Sequence, residues 1–335
     1  MSLISICQQV AGYIPVAIPA FIVNNPDETA MLLLACAQDE GDALARRPQG
    51  GWVNMIREFD FTTASVGPVN GVVTNNSPVV TGLSLSGTWD SGGNWDEGGT
   101  WDEGTSPLVA NSWYVFGTGA QNNTIIKSID SATQITLNQN IILSGAVTQT
   151  VQLTFGKSDY DLPADFERPI DNTFWDRSRF WAMRGPQSPQ QWQLYKSSVI
   201  GRASIQRRYR FRRINNAMKF SIDPVPLDNG SALVFEYVST GWCESQTGVV
   251  QNSWMNDNDV GVLDEYLMRL GIRWRMLRRL GMSYQEELNE YERQVDKAVA
   301  HDGAAAILNL TPSDSLTIIG PWNLPETNFG GVTGT

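Results

Sequence analysis

The sequence is poor in the residues that most enzymes and metal proteins depend on. A single histidine, His301, stands in 335 residues. A Ser-His-Asp or Cys-His arrangement would have to be built on it, and no G-x-S-x-G elbow supplies a nucleophile. His301 falls near the end of a predicted helix, where a contact with the negative end of the dipole accounts for it. No G-x-x-x-x-G-K-[ST] loop is present, so a P-loop is excluded. Cys7, Cys36 and Cys243 are odd in number and far apart. That excludes zinc spacing and a disulfide framework, and it fits reduced, buried thiols in a protein assembled in cytoplasm. No positively charged leader with a cleavage pattern opens the chain. The longest early apolar run, residues 14–23, is broken by Pro15 and Pro19 and is too short to span a bilayer. No membrane partner, cofactor, metal or catalytic residue is therefore expected, and the chain is read as a non-enzyme. A net charge of −11 also argues against general nucleic-acid binding.

Aromatic residues and unevenly spread charge are what the chain does have. Twelve tryptophans are many for this length; such side chains stabilise cores and interfaces at little entropic cost. Residues 168–213 carry eleven Arg or Lys and only two acids, Asp171 and Asp176, while acids gather at 90–103 and 286–292. Separate faces of opposite sign suit contact between copies of one chain, or docking on a partner of opposite charge.

The periodicity predicts an α+β protein. It is read as a helical domain, made of an N-terminal hairpin plus C-terminal helices, with a β-rich central insertion and an extended C-terminal tail. Apolar spacing gives a short helix over 3–12. Asn25 and Pro26 start a second one that runs to about Ala45, and Pro48 stops it. Trp52, Val53, Ile56 and Phe59 are read as the second arm of a helical hairpin spanning 1–61. From 62 to 157 Gly, Ser, Thr, Asn and β-branched residues dominate, and strands are expected at 70–74, 79–85, 112–117, 124–130, 133–138 and 149–155. Residues 158–256 read as turns and strands, including 204–211, 218–222 and 233–237, with Pro224 and Pro226 restricting their neighbours to sheet edges. Helices return over 257–302, the first capped by Asp257 or Asp259 and the second by a Ser283/Glu286 box. The tail, 303–335, carries Ile307, Leu308, Leu310, Ile318, Ile319 and Trp322 without a clear period, the pattern of a segment that lies on another subunit.

Three segments stand out as candidate contact sites. Trp89, Trp95 and Trp101 open a Trp-Asp-Gly-rich hexapeptide repeat. It lacks EF-hand spacing and is too short for a solenoid, so an exposed loop packing on a neighbour is expected. Arg202, Arg207, Arg208, Arg210, Arg212 and Arg213 form a basic block. On a strand, Arg208, Arg210 and Arg212 would share one face, opposite Tyr209, Phe211 and Arg213. That face would meet either an acidic neighbouring subunit or nucleic acid in a channel. Asp161 and Asp165 are a carboxylate pair of the kind glycosidases use.

Several stretches resemble the head–tail adaptor (connector) proteins of tailed bacteriophages. They are Leu162-Pro163-Ala164-Asp165-Phe166, Thr173-Phe174-Trp175-Asp176, Gly185-Pro186, Gln191-Trp192, Arg210-Phe211-Arg212, Pro224-Val225-Pro226 and Phe235-Glu236-Tyr237-Val238-Ser239. Trp52, Leu267 to Gly271 and Trp274-Arg275 in the flanks agree. The resemblance implies a dodecameric ring in the virion neck at the capsid vertex. There it would join the portal protein to a tail or nozzle protein, with genomic DNA passing through its lumen. It also implies that the C-terminal segment, with Ile307, Leu308, Leu310, Ile318, Ile319 and Trp322, docks on the portal. A collar or fibre-anchoring virion protein holding fibres through the β insertion is the alternative, and a virion-associated cell-wall hydrolase a third.

Overall fold

The computed structural model describes residues 2–48, 51–83, 108–145, 147–197, 206–214 and 216–302. Among them are five α-helices: α1 (Leu3–Tyr13), α2 (Glu28–Ala45), α3 (Pro189–Ser197), α4 (Glu265–Arg279) and α5 (Gln285–Asp302). Seventeen strands accompany them, all paired antiparallel where the register is defined. This corrects the expected architecture. The protein is β-rich, and strands run well outside 62–157, so it is not a helical domain carrying a β insertion. The supposed second arm of the hairpin is one reason. Only Val53–Met55 turns helically, as a 3-10 segment, and Ile56–Thr62 is a strand. Along that strand Glu58, Asp60 and Thr62 are exposed while Phe59 and Phe61 are half-buried, the two-residue alternation of a sheet.

The chain divides into two compact units. Among the described residues, one comprises Met1–Phe59, Pro163–Asp171 and the chain from Phe235 on; the other comprises Asp60–Leu162 and Asn172–Val234. In the first unit α4 packs against α1, α2 and α5. Leu3, Ile6, Val10, Leu33, Leu44, Trp242, Trp254, Leu267, Ile272 and Met276 fill the core between them. Helix α2 begins where the Asp27 carboxylate accepts from the Ala30 N–H, so Asp27 rather than Asn25 is the cap. Its end is sealed by Trp52, whose indole N–H donates to the Leu44 carbonyl at 2.7 Å. Asp264 caps α4 through the Tyr266 and Leu267 N–H groups. The helix closes in a Schellman motif: Met282 donates to Leu277 O and Gly281 to Arg278 O, with Gly281 at φ +70°. Glycine is needed there because a side chain is strained in that left-handed conformation.

The second unit is built on a six-stranded antiparallel sheet. Its order is Trp113–Gly117, Thr148–Lys157, Ser65–Thr74, Ser77–Thr81, Gln134–Ile141, Ile126–Ser131. A bridge between Tyr114 and Ile125 brings the two ends together, and the sheet curls around Val73, Val80, Ile126, Ile135, Leu153 and Phe155. Strands occupy each expected position with shifted ends: the strand expected at 79–85 is Ser77–Thr81, with residues 84 and 85 outside the described residues, and the one expected at 70–74 begins at Ser65. A separate three-stranded sheet orders Arg208–Ile214, Ala217–Asp223 and Asp159–Asp161. Here Ala217–Asp223 is the central strand, against the edge expected beside Pro224. The proline follows the last strand residue, so its missing N–H falls outside the ladder.

Candidate functional site: braced loops and buried arginines

In the second unit the basic block is largely an internal brace. Strand Arg208–Ile214 turns Tyr209 inward, where its ring stacks on Phe174 (centroids 3.9 Å) and packs against Phe220. The arginines were expected to present an open face, and for Arg207 and Arg208 the structure corrects that. Arg207 is 3% exposed and Arg208 is 8% exposed. Arg207 Nη2 donates to Asp228 Oδ2 at 2.8 Å, and its Nε lies 3.1 Å from Asp176 Oδ2. Arg208 stacks over the Tyr195 ring at 3.7 Å and faces Asp223 at 3.5 Å, which Lys196 also reaches at 2.8 Å. Arg212 holds both oxygens of buried Asp159 at 2.8 Å and donates to Ser221. Arg207 with Asp176, and Arg208 with Asp223, leave water together with their counter-charges, which is what permits burial at all. Arg213 meets Asn216 at 3.3 Å, and Arg210 is half-buried with no ion pair among the described residues. Arg202 lies outside the described residues.

The acids that do this were not singled out from sequence, although one signal existed. Asp176 is one of only two acids inside the basic block. Asp159, Asp223 and Asp228 stand just beyond it and return to it through the fold. Arg207 and Arg208, buried on these acids, are therefore not part of an open positive face. Asp161 and Asp165 are likewise held separately. Asp161 pairs with Lys219. Asp165 accepts from Tyr237 at 2.9 Å and from Ser239 at 2.7 Å. Burial and that carboxylate push the Tyr237 hydroxyl up to about 12, so it remains a donor at neutral pH.

In the first unit two loops are stapled together. Asp257 accepts from the Ile22 N–H at 3.0 Å and from Val23 at 2.8 Å, and Asp259 accepts from Met255 at 2.7 Å and Asn256 at 2.8 Å. Neither acid caps α4. Their backbone carbonyls instead receive the first N–H groups of α1, Leu3 onto Asp259 and Ile4 onto Asp257, because α1 has no side-chain cap. The stapled loops leave large apolar side chains in solvent: Ile18 is 62% exposed, Phe21 46% and Met255 60%. The same unit holds a buried acid where α2, α4 and α5 meet. Glu40, 0% exposed, accepts from Tyr291 at 2.6 Å and Arg275 at 2.8 Å. Burial raises the pKa of this carboxyl, and its two donors work against that.

Among the described residues no group of three His, Cys, Asp or Glu could hold a metal, and no helix is long and apolar enough to cross a membrane. Cys7, Cys36 and Cys243 are free and buried. His301 lies in the last turn of α5. Trp89, Trp95 and Trp101, and Ile307, Leu308, Leu310, Ile318, Ile319 and Trp322, lie outside the described residues.

The second unit is braced by internal ion pairs, and the first holds large apolar side chains out on hydrogen-bonded loops. The chain belongs to the SU10 adaptor protein family, whose family model matches residues 129–315. It is thus a structural adaptor protein of a bacteriophage and a component of the virion. No curated protein matches the chain.

Proposed function

We propose that this adaptor assembles into an oligomeric ring that joins the portal to the tail and surrounds the passage for DNA, and that it catalyses nothing. The observation that carries the reading is the display of Ile18, Phe21 and Met255 on loops fixed by Asp257 and Asp259. Side chains of this size left in water on rigid backbone gain free energy when another protein covers them, at little ordering cost. Family membership supplies the setting. The tail rich in Ile307, Leu308, Leu310, Ile318, Ile319 and Trp322 suits docking on the portal. Removing residues 305–335 is expected to weaken portal binding at least about tenfold while the circular dichroism melt of the body is kept. Unchanged portal binding by the shortened protein in a co-sedimentation assay would defeat the tail's assigned role.

A further inference from the structure

We propose that the hollow beside Trp274 binds a carboxylate, supplied by an acidic side chain of a second copy of this chain. The inference rests on the ring reading for its source and on the first unit's geometry for its chemistry. The hollow measures about 340 Å³ and is lined by Asp39, Trp274, Arg275, Arg278 and Arg279. Two of its arginines are already committed, Arg275 to Glu40 and Arg279 to Asp39, each at 2.8 Å. Arg278 is exposed and has no ion pair among the described residues. Three cations against two carboxylates leave one positive charge over, and a single carboxylate balances it.

A second feature points the same way. Trp274 is 8% exposed and lines the hollow, yet its indole N–H is buried with no acceptor. An indole can only donate, and a buried donor without a partner forfeits the hydrogen bonds it made in water. A carboxylate has lone pairs enough for this N–H and for a guanidinium together. The Arg275 guanidinium stacks on the Trp274 ring at 4.7 Å and stiffens that wall. Arg278 and Arg279 also lie in the last turn of α4, where the dipole favours cations. The dipole alone leaves the orphaned indole and the concave shape unexplained. A duplex carries its phosphates on a convex surface and enters such a recess poorly, whereas an Asp or Glu side chain fits inside. A chain of net charge −11 offers them freely; Glu28, Asp264, Glu286 and Asp296 are exposed on this same unit.

The test follows the indole resonance of Trp274 by ¹⁵N NMR at constant ionic strength in the full-length protein carrying Ile18→Ser, Phe21→Ser and Met255→Ser, which breaks up the ring and leaves the hollow free, the resonance being identified by its loss in Trp274→Phe. N-acetylglutamate methylamide is expected to shift it, and Arg278→Gln to weaken that response at least about tenfold. No shift, or the same shift in Arg278→Gln, overturns the proposal. A shift with inorganic phosphate or a short DNA duplex but none with the carboxylate overturns it too. Native mass spectrometry separates this from the ring reading. Arg278→Glu is expected to lose the oligomer with its melting midpoint kept, and an intact oligomer in that variant overturns the second-copy source. A wild-type monomer whose indole still answers the carboxylate would sink the ring and that source while upholding the pocket.

Discussion

Replacing Arg207 by alanine is expected to destabilise the protein by about 3–5 kcal/mol, the cost of breaking a buried ion pair and stranding its partner. The guanidinium is surrounded by Asp176, itself 1% exposed, and Asp228, with Ser231 completing the set. Urea denaturation measures the loss. Arg210→Ala is the control: it is half-buried without an ion pair among the described residues, and a change within about 0.5 kcal/mol is expected. Equal small effects for both would mean that Arg207 is not a brace. The same cluster sets an acid limit. Burial alone would raise the Asp228 pKa, but the Ser231 hydroxyl and Arg207 outweigh it and hold it below the ordinary 3.8. A depressed folded-state value contributes stability that is present above the ordinary value and lost as pH falls through the lower one. Asp228→Asn is therefore expected to flatten the acid end of the stability curve and leave neutral stability less affected than Arg207→Ala does.

Glu40→Ala is the second large effect, again about 3–5 kcal/mol. This carboxylate sits on α2 and takes donors from α4 and α5, so its loss leaves Arg275 and the Tyr291 hydroxyl facing a void. Gly271 on α4 belongs to the same seat, since a Cβ there would overlap the Glu40 carboxylate. Gly271→Ala is expected to be costly in the wild type and much less so beside Glu40→Ala, a coupling that a double-mutant cycle reads directly. Additive costs would show that the two residues do not share one space.

What the sequence made legible was local. The helices around 3–12 and 26–45, the pair after 257 and the strands between 65 and 157 each carried their own period, cap or turn residue. The misreadings came where two periods overlap or where partners are distant. Trp52, Val53, Ile56 and Phe59 fit a helical spacing, but Phe59 and Phe61 also alternate with acids, and packing selected the strand. The arginine block looked like a surface because its counter-charges lie elsewhere in the chain: Asp159 reaches Arg212 across 53 residues, and Asp228 reaches Arg207 across 21. Asp257 and Asp259 have the composition of helix caps, yet their bonds go to a loop and to the start of α1. Glu40 gave no sign at all within its own stretch, since only the meeting of three helices makes a buried acid tolerable there.

The central claim is that copies of this adaptor hold one another in a closed ring that engages the portal. Native mass spectrometry of the full-length protein, alone and mixed with its portal, tests it most directly. One dominant closed oligomer that adds to the portal as a unit is expected, broken up when Ile18, Phe21 and Met255 are changed to Ser. A protein that stays monomeric with and without the portal would contradict it.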